Sequence, residues 1–338
     1  MREEKLIVSI PPHIQSAETI PKMMFITIAA LIPAVISGIY FFGVNAVKVI
    51  IIAILSAVVF EAGLQKIMKR EITITDGSAV LMGLLFALIL PPTLPWWMVI
   101  LGVFVGMLLG KHVYGGLGSN PFNPVLIGWA GLRLSFPSYF DISGSIFGVT
   151  KLEGVSALVE DYVYFAEQYG IESLEGIGAK INLFFKLLIS WKPIFPGEPL
   201  IGCIGQISAL AIIIGGGILL WRRYITWHIP VSFLASIILF SILFKGGEFL
   251  YPYVLVQLLS SGTLLAAFFI ATDSVTSPMT RWPMLILGVL LGLIVMIGRI
   301  WGSWIDPIWF CVLVMNAFTP LIDRLTKPKP FGRLKESA

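Results

Sequence analysis

The chain has 338 residues, of which 57 % are hydrophobic and 12 % are charged, with a formal net charge of +4 and a mean hydropathy of +0.92. Soluble domains carry about 25 % charged residues, so this composition excludes a soluble globular protein and places the chain in a lipid bilayer. The basic residues are scattered over short loops, which excludes a basic nucleic-acid-binding domain. Cys203 and Cys311 lie in apolar stretches without the spacing of metal ligands or of a disulfide framework.

Ten apolar stretches, in two groups of five, approach the ~20 residues that a transmembrane helix needs. The first group is Met23–Phe42, Val47–Phe60, Ser78–Leu90, Trp96–Leu109 and Asn123–Leu134, and the second is Leu200–Trp221, Ile225–Phe244, Tyr253–Ala271, Pro283–Gly298 and Pro307–Ile322. Backbone N–H and C=O groups outside a regular helix need hydrogen-bond partners from the protein or from a water-filled cavity when they lie at membrane depth. The short stretches are therefore expected in the interior of the protein. The sequence predicts an all-α polytopic membrane protein with about ten transmembrane helices.

The second group of stretches repeats the first in order and in residue type. Aligned residues include Trp96 with Trp282, Met98 with Met284, Gly106 with Gly292, Gly116 with Gly302, and Asp76-Gly77-Ser78 with Ser261-Gly262-Thr263. Apolar composition alone would not bring these residues into register. Each half has an odd number of spans, which predicts a five-plus-five inverted repeat with a shared site at the interface of the repeats.

The distribution of Lys and Arg predicts the orientation and the division of the chain. Fifteen basic residues, Lys111 among them, lie on the side of both termini, whereas the opposite short loops hold Lys48, Lys245 and Arg299. Basic loops stay in the cytoplasm, so both termini are predicted to be cytoplasmic. The predicted units are a first repeat (1–134), an extracytoplasmic loop with an interfacial helix (135–199), a second repeat (200–326) and a cytoplasmic tail (327–338).

Several ionisable residues near the ends of the predicted spans are candidates for function. They are Asp76, Lys111, Asp273, Arg299 and Asp306. Ionisable groups inside a membrane mark functional sites, but the same residues could simply lie among lipid headgroups or cap helices, and both explanations stay open. Asp306 aligns with Asn120 across the repeat, which favours a functional role for this pair. Glu61, at the end of the second span, is expected at the membrane interface.

A glycine-rich stretch precedes the fifth span, from Tyr114 to Pro124, and contains Asn120 and Asn123. It lacks the Gly-Lys-Ser/Thr ending of a phosphate-binding loop. Its asparagines offer polar ligands beside a broken segment, while its glycines would equally serve close helix packing. Both interpretations remain open on the sequence.

The chain resembles the family that comprises the D subunit of the Rnf complex and the B subunit of the Na+-translocating NADH:quinone reductase (Nqr). The resemblance covers nearly the whole chain. It rests on Ser9-Ile-Pro-Pro-His13-Ile, on Thr75-Asp76-Gly77-Ser78-Ala79 with Leu90-Pro91-Pro92, on the run from Lys111 to Pro124, and on the run from Ala271 to Pro278. Together these motifs are specific, although each one alone is weak.

The resemblance implies a subunit of an ion-translocating oxidoreductase that carries FMN joined through its phosphate to a threonine of a Ser-Gly-Ala-Thr-like motif on the outer face. Gly148-Val149-Thr150 matches that motif best, with Phe147 in place of Ser and Val149 in place of Ala. Ser143-Gly144-Ser145 is a weaker competitor. The resemblance assigns Thr150, two residues after Gly148, as the covalent FMN site.

The resemblance also implies a second, non-covalent flavin, riboflavin, within the helices. Candidate residues for that flavin or for an ion pathway are Lys111, Asn120, Asn123, Asp273 and Asp306. The implied partners are the A, B, C, E and G subunits of the Rnf complex, the lipid bilayer, and Na+ or H+. The implied location is the cell membrane of a bacterium or archaeon.

Two other functions fit the residue pattern. A cofactor-free channel or transporter with an inverted repeat, as in urea and ammonium channels, would show the same composition. A structural membrane anchor for other subunits is the third interpretation. Flavin that stays on the denatured polypeptide distinguishes the electron-transfer subunit from both alternatives.

Overall fold

The computed structural model describes residues 18–141, 203–245, 250–259, 262–302 and 307–326. Within these ranges the chain forms helices and no strand. In chain order the helices are α1 (Ile20–Phe42), α2 (Val44–Ile67), α3 (Ser78–Leu88), α4 (Trp96–Val105), α5 (Pro124–Ser135), α6 (Pro137–Asp141), α7 (Ala209–Trp221), α8 (His228–Lys245), α9 (Leu250–Leu259), α10 (Thr263–Leu265), α11 (Arg281–Trp301) and α12 (Ile308–Leu325). The all-α prediction is confirmed for the described part of the chain.

Two helices continue as wider π-helical segments, and this changes which side chains face inward. The segment Gly106–His112 extends α4, and the segment Ala266–Ile270 extends α10. A π-helical segment inserts extra residues into a helical turn and rotates the side chains that follow. The periodicity of an α-helix therefore does not predict the orientation of residues at the end of α4.

Four described helices are long and apolar enough to cross a membrane, namely α1, α2, α11 and α12. The α9–α10 pair, bent by 50° at a short break, would add a fifth span if the pair counts as one. The apolar helices α3, α4 with its π-helical extension, α7 and α8 are shorter. The chain is thus a polytopic membrane protein, while the count of ten spans stays a prediction.

The ends of the helices follow local capping chemistry. The side chain of Thr19 accepts a hydrogen bond from the backbone of Lys22 at 3.4 Å, at the start of α1. The side chain of Asn123 accepts one from the backbone of Val125 at 3.0 Å, and Pro124 occupies the first position of α5. A polar cap satisfies an N–H group that the helix leaves open, and proline suits the first turn because its missing N–H is not needed there.

The helices of the two halves pack against one another in matching pairs. Helix α1 packs against α7, and α5 packs against α12, so the first apolar helices of the two halves meet, and so do the last. Within the first half α2 contacts α3 and α4, and within the second half α8 contacts α11. The residues of the short helices α3 and α10 are mostly buried in this arrangement.

The residues aligned by the repeat share a backbone conformation at the start of those short helices. Gly77 has φ +78° and precedes Ser78 of α3, and Gly262 has φ +76° and precedes Thr263 of α10. This left-handed conformation is readily adopted only by glycine. The shared geometry supports the repeat, while the opposite orientation of the second half stays a prediction.

Small residues bring the helices into close contact. A Cβ atom placed on Gly83 of α3 would lie 2.7 Å from the carbonyl oxygen of Ala53 and 2.9 Å from the Cα of Ile54, both on α2. These neighbours are backbone atoms, so a side chain at this position would push the two helices apart. Packing through small residues is the usual way in which helices associate in a membrane.

We predict that Gly83→Ala lowers the free energy of unfolding by about 1–3 kcal/mol, because the added methyl group overpacks the contact between α2 and α3. Gly63→Ala is the matched control, since a Cβ atom there meets nothing within 4 Å. Alanine favours a helix over glycine by about 1 kcal/mol, so this control should be neutral or stabilising. Unfolding of the two variants in detergent measures the difference, and equal stability of both would contradict the packing argument.

Candidate functional site

A cavity of about 120 Å³ lies where the two halves meet. It is lined by residues of α1, α3, the π-helical end of α4, the start of α5, and the α7–α8 and α10–α11 connections. Its polar lining includes Ser78, Lys111, Asn120, Asn123 and Asp273, and its apolar lining includes Met24, Leu81, Met82, Phe268 and Phe269. Four of the residues named from the sequence, Lys111, Asn120, Asn123 and Asp273, are therefore brought together in one place.

Lys111 is buried and forms an ion pair. Its Nζ lies 2.8 Å from Oε2 of Glu61, with the side chains only 4 % and 1 % exposed. The same Nζ donates a hydrogen bond to Oγ of Ser78 at 2.9 Å. An ammonium group has three N–H donors. Two are used in these contacts, and the third has no partner among the described residues.

The placement of Glu61 corrects the expectation that this residue lies at the membrane interface. Glu61 is fully buried within the described part of the chain, four residues before the buried Gln65 on the same face of α2. Gln65 Nε2 donates to Oε1 of Glu61 at 2.6 Å and to Oγ1 of Thr73 at 2.9 Å. The carboxylate thus has donors at both oxygens, which is how a charged group is kept in an apolar interior. The spacing of Glu61 and Gln65 was the signal in the sequence that could have revealed this.

His112 lies on the other side of the same carboxylate. Its Nε2 is 3.3 Å from Oε2 of Glu61, and its side chain is 1 % exposed. Neither ring nitrogen makes a hydrogen bond to a described residue. Its backbone carbonyl accepts a hydrogen bond from Nη1 of Arg70 at 3.2 Å. The contact with Glu61 is made from the π-helical segment that contains His112.

The second half contains a buried cation in a comparable position. Arg299 is fully buried, and its guanidinium donates to Oε1 of Gln257 at 2.8 Å and to Oγ1 of Thr263 at 2.9 Å. Thr263 aligns with Ser78, so both buried cations contact the hydroxyl group at the start of a short helix. The charge count placed Lys111 and Arg299 in short loops, whereas the structure buries both in helical segments, Lys111 at the π-helical end of α4 and Arg299 near the end of α11. Without these two residues, fourteen basic residues lie on the side of the termini and two lie in the opposite short loops.

Asp273 lines the cavity from the connection between α10 and α11. Its Oδ2 accepts a hydrogen bond from Oγ1 of Thr276 at 3.2 Å. Burial raises the pKa of Asp273 above that of an ordinary aspartate, while the hydrogen bonds from Thr276 and from the neighbouring backbone oppose this rise. The carboxyl group therefore takes up a proton more readily than one in water.

A contact between the halves lies beside the cavity. The hydroxyl of Tyr224, in the α7–α8 connection, donates to Oε2 of Glu18 at 2.6 Å, and Nζ of Lys22 lies 2.7 Å from Oε1 of the same carboxylate. These hydrogen bonds lower the pKa of Glu18, and the bond to Glu18 raises the pKa of Tyr224. Tyr224 also lines the cavity, so this contact ties the start of α1 to the second half at the cavity edge.

Three residues named from the sequence, Gly148, Thr150 and Asp306, lie outside the described ranges. The covalent flavin site and the pairing of Asp306 with Asn120 therefore stay predictions. Cys203 and Cys311 are both buried, as their apolar surroundings indicated.

Comparison with known proteins shows similarity over almost the entire chain. A sequence model described as "NQR2, RnfD, RnfE family" matches residues 7–332. The D subunit of the proton-translocating ferredoxin:NAD(+) oxidoreductase complex of Clostridium ljungdahlii is 37 % identical over 96 % of this chain and 96 % of its own length. The D subunit of the Na(+)-translocating ferredoxin:NAD(+) oxidoreductase complex of Acetobacterium woodii is 35 % identical over 99 % and 98 %. The D subunit of the ion-translocating oxidoreductase complex of Aliivibrio salmonicida is 36 % identical over 96 % and 97 %.

We predict that Lys111→Met lowers the free energy of unfolding by about 3–5 kcal/mol, because it leaves the carboxylate of Glu61 buried without its cation. Methionine retains most of the length of the side chain, so lost packing contributes little. The double variant Lys111→Met with Glu61→Gln should recover most of that loss, since no charge is then left unpaired. Additive effects of the two substitutions in detergent unfolding would show that the two charges do not stabilise one another.

Proposed function

The chain belongs to the NQR2, RnfD, RnfE family, and from that premise we propose that it is the membrane-embedded D subunit of an ion-translocating oxidoreductase complex. In this role it relays electrons through bound flavin and couples their transfer to movement of Na+ or H+ across the membrane. The translocated ion named for the relatives is a proton in one case and Na+ in another. Relatives of nearly equal similarity thus differ in the ion that they move.

The observation that carries the proposal is the cavity between the two halves, with a buried lysine and two asparagines in its wall. A cofactor-free water channel would need a continuous polar path, whereas this cavity combines an apolar wall with a few polar groups, as ligand sites do. Phe268, Phe269 and Leu81 supply flat or branched apolar surface. The methionines Met24 and Met82 can adapt to a ligand because their side chains are unbranched and flexible.

The polar groups of the cavity match the edge of an isoalloxazine ring, which presents carbonyl acceptors on both sides of one N–H donor. Lys111 has a third N–H, and the side-chain N–H₂ of Asn123 has no partner among the described residues, so both can donate to carbonyl oxygens. Oδ1 of Asn120 is similarly available to accept from the ring N–H, because only its Nδ2 is engaged, with the carbonyl of Phe122. The donor set suits the non-covalent flavin that the resemblance implies, and the cavity of about 120 Å³ must widen to hold the whole ring system.

Each side chain has a distinct part in this proposal. Lys111 places positive charge beside the cavity, and Asn120 and Asn123 fix the orientation of the ring by complementary hydrogen bonds. The apolar residues exclude water, which strengthens these electrostatic interactions. The bound flavin supplies the redox chemistry, and the protein supplies its position and its electrostatic surroundings.

The covalent FMN is proposed at Thr150, in the segment predicted to be extracytoplasmic. The support is the Gly148-Val149-Thr150 match and the predicted topology, which puts this threonine on the outer face. A threonine hydroxyl can form a phosphoester, and the glycine two residues before it allows a bulky phosphate to approach the backbone. The partners proposed for the complex are the A, B, C, E and G subunits.

We predict that Thr150→Ala abolishes covalently bound flavin in protein made together with its flavin transferase, because the hydroxyl oxygen that forms the phosphoester is removed. Ser145→Ala, in the competing Ser143-Gly144-Ser145 segment, should retain it. In-gel flavin fluorescence after denaturation and mass spectrometry of the Thr150 peptide measure the outcome. An unmodified Thr150 peptide from the wild-type protein would disprove the assignment.

We predict that Leu81→Trp reduces the non-covalent flavin by at least about tenfold, because the indole ring fills space in the cavity wall, whereas covalent flavin on Thr150 is retained. Leu101→Trp is the matched control, since Leu101 is exposed on α4 and does not line the cavity. Flavin released by denaturation of the purified protein is quantified by fluorescence. Wild-type amounts of released flavin in folded Leu81→Trp would place that flavin elsewhere.

A further inference from the structure

A cationic patch, formed by Lys22, Arg222 and Arg223, lies where the start of α1 meets the end of α7. The two helices pack against each other, and the hydroxyl of Tyr224, just after α7, donates to Glu18, just before α1, at 2.6 Å. Lys22 pairs with the same carboxylate at 2.7 Å, and its side chain is 47 % exposed. Arg222 and Arg223 directly follow α7 and are both exposed. The patch therefore combines residues from the two halves of the chain.

The cations of this patch outnumber the carboxylates beside them. Hydrogen bonds, first of all from Lys22, lower the pKa of Glu18, and the charge of Arg222 lowers it further, so Glu18 is ionised and offsets one cation. Arg222 and Arg223 form no ion pair with any residue that the structure describes. The patch stays cationic even if Asp273, in the wall of the neighbouring cavity, is counted as a second carboxylate. It therefore attracts an anion.

The guanidinium group of Arg222 has a geometry that suits a phosphate. It lies over the indole ring of Trp221, with 5.6 Å between Cζ and the ring centroid. A guanidinium group that stacks on an aromatic face still presents its N–H donors at its edge. Those donors match phosphate oxygens in pairs, with two parallel hydrogen bonds. The stacked arginine thus points to a phosphate as the anion.

An apolar strip along α7, formed by Ile213, Gly217 and Trp221, favours a lipid as the source of that phosphate. These residues follow one another at intervals of four and are all exposed, Trp221 by 80 %. A Cβ atom on Gly217 would meet nothing within 4 Å, so there is open space one turn before Trp221. Tryptophan is enriched at the depth of the lipid headgroups. The strip offers a surface to an acyl chain, whereas an acidic peptide would use only the charges.

We propose that the cationic patch and the apolar strip together bind an anionic phospholipid, with its phosphate at Arg222 and Arg223 and an acyl chain along the strip. Basic residues between helices at a membrane surface are a recurring way of binding anionic headgroups. The site does not depend on the proposed flavin. A lipid bound there lies beside the hydrogen bond of Tyr224 to Glu18, which joins the two halves at the edge of the cavity.

The test is lipid retention by the purified full-length protein, measured by native mass spectrometry in micelles titrated with dioleoyl phosphatidylglycerol or with dioleoyl phosphatidylcholine. The variant Arg222→Gln with Arg223→Gly removes two charges and keeps the fold, because glycine suits the φ of +60° at position 223. Each lost charge should weaken binding of phosphatidylglycerol about fivefold, hence roughly 25-fold for the pair. Binding of phosphatidylcholine, whose headgroup has no net charge, should change little.

The variant Lys66→Gln with Lys69→Gly is the matched control. Both lysines are exposed at the end of α2, and Lys69 also has a positive φ, of +55°. This control removes two charges in the same way and should bind phosphatidylglycerol like the wild type. An equal loss in both double variants would reveal a general attraction to positive charge and would overturn the site, as would wild-type binding by the arginine variant.

A second variant tests the apolar strip without changing any charge. Gly217→Leu fills the open space on α7 and should also weaken binding of phosphatidylglycerol, whereas Gly63→Leu should not, although a Cβ atom there likewise meets nothing within 4 Å. Wild-type binding by Gly217→Leu would show that no acyl chain lies along the strip, and the proposal would fail. A poly-glutamate peptide that binds the wild type but not the arginine variant, with phosphatidylglycerol binding equal in both, would identify an acidic protein surface as the ligand instead.

Discussion

The buried ion pair of Lys111 and Glu61 is the interaction on which the arrangement of the first half depends. Removing two charges from water costs several kcal/mol for each ion, and a bilayer offers no polar partner to compensate. The pair persists because Ser78 accepts a hydrogen bond from Lys111 and Gln65 donates a hydrogen bond to Glu61, which compensates part of that cost. These four residues belong to α2, α3 and the end of α4. The three segments must therefore stay in register, and the cavity wall that Lys111 forms is fixed along with them.

The two halves stabilise a buried cation with different chemistry. In the first, a lysine contacts the hydroxyl of Ser78 and a carboxylate, whereas in the second Arg299 contacts the hydroxyl of Thr263 and the neutral side chain of Gln257. Backbone geometry is shared where Gly77 and Gly262 precede the short helices, whereas the groups that hold the buried cation there differ.

Much of this fold could be predicted from hydropathy, because the apolar stretches are long and are ended by proline and glycine. The start of α3 at Ser78 and of α4 at Trp96 was predicted to the residue. The prediction failed for features that hydropathy does not determine, such as a bend in a helix or the side chains that face its neighbours. The stretch from Tyr253 to Ala271 is predicted as one span, and its hydropathy does not show the 50° bend between α9 and α10. The burial of Glu61 depends on partners distant in sequence, and that of His112 on a π-helical segment, so neither could be predicted from local periodicity.

The position of the cavity connects these features. It lies where α1, α3 and α5 of one half meet the connections of the other, so a ligand there contacts both halves at once. A charge added at this place would act on Lys111, which lines the cavity and pairs with Glu61. The hydrogen bond of Tyr224 to Glu18 joins the halves at the edge of the same cavity. The two halves are joined mainly by packed apolar surface, which does not respond to charge. A change of charge in the cavity therefore acts on the two halves through the polar groups that surround it.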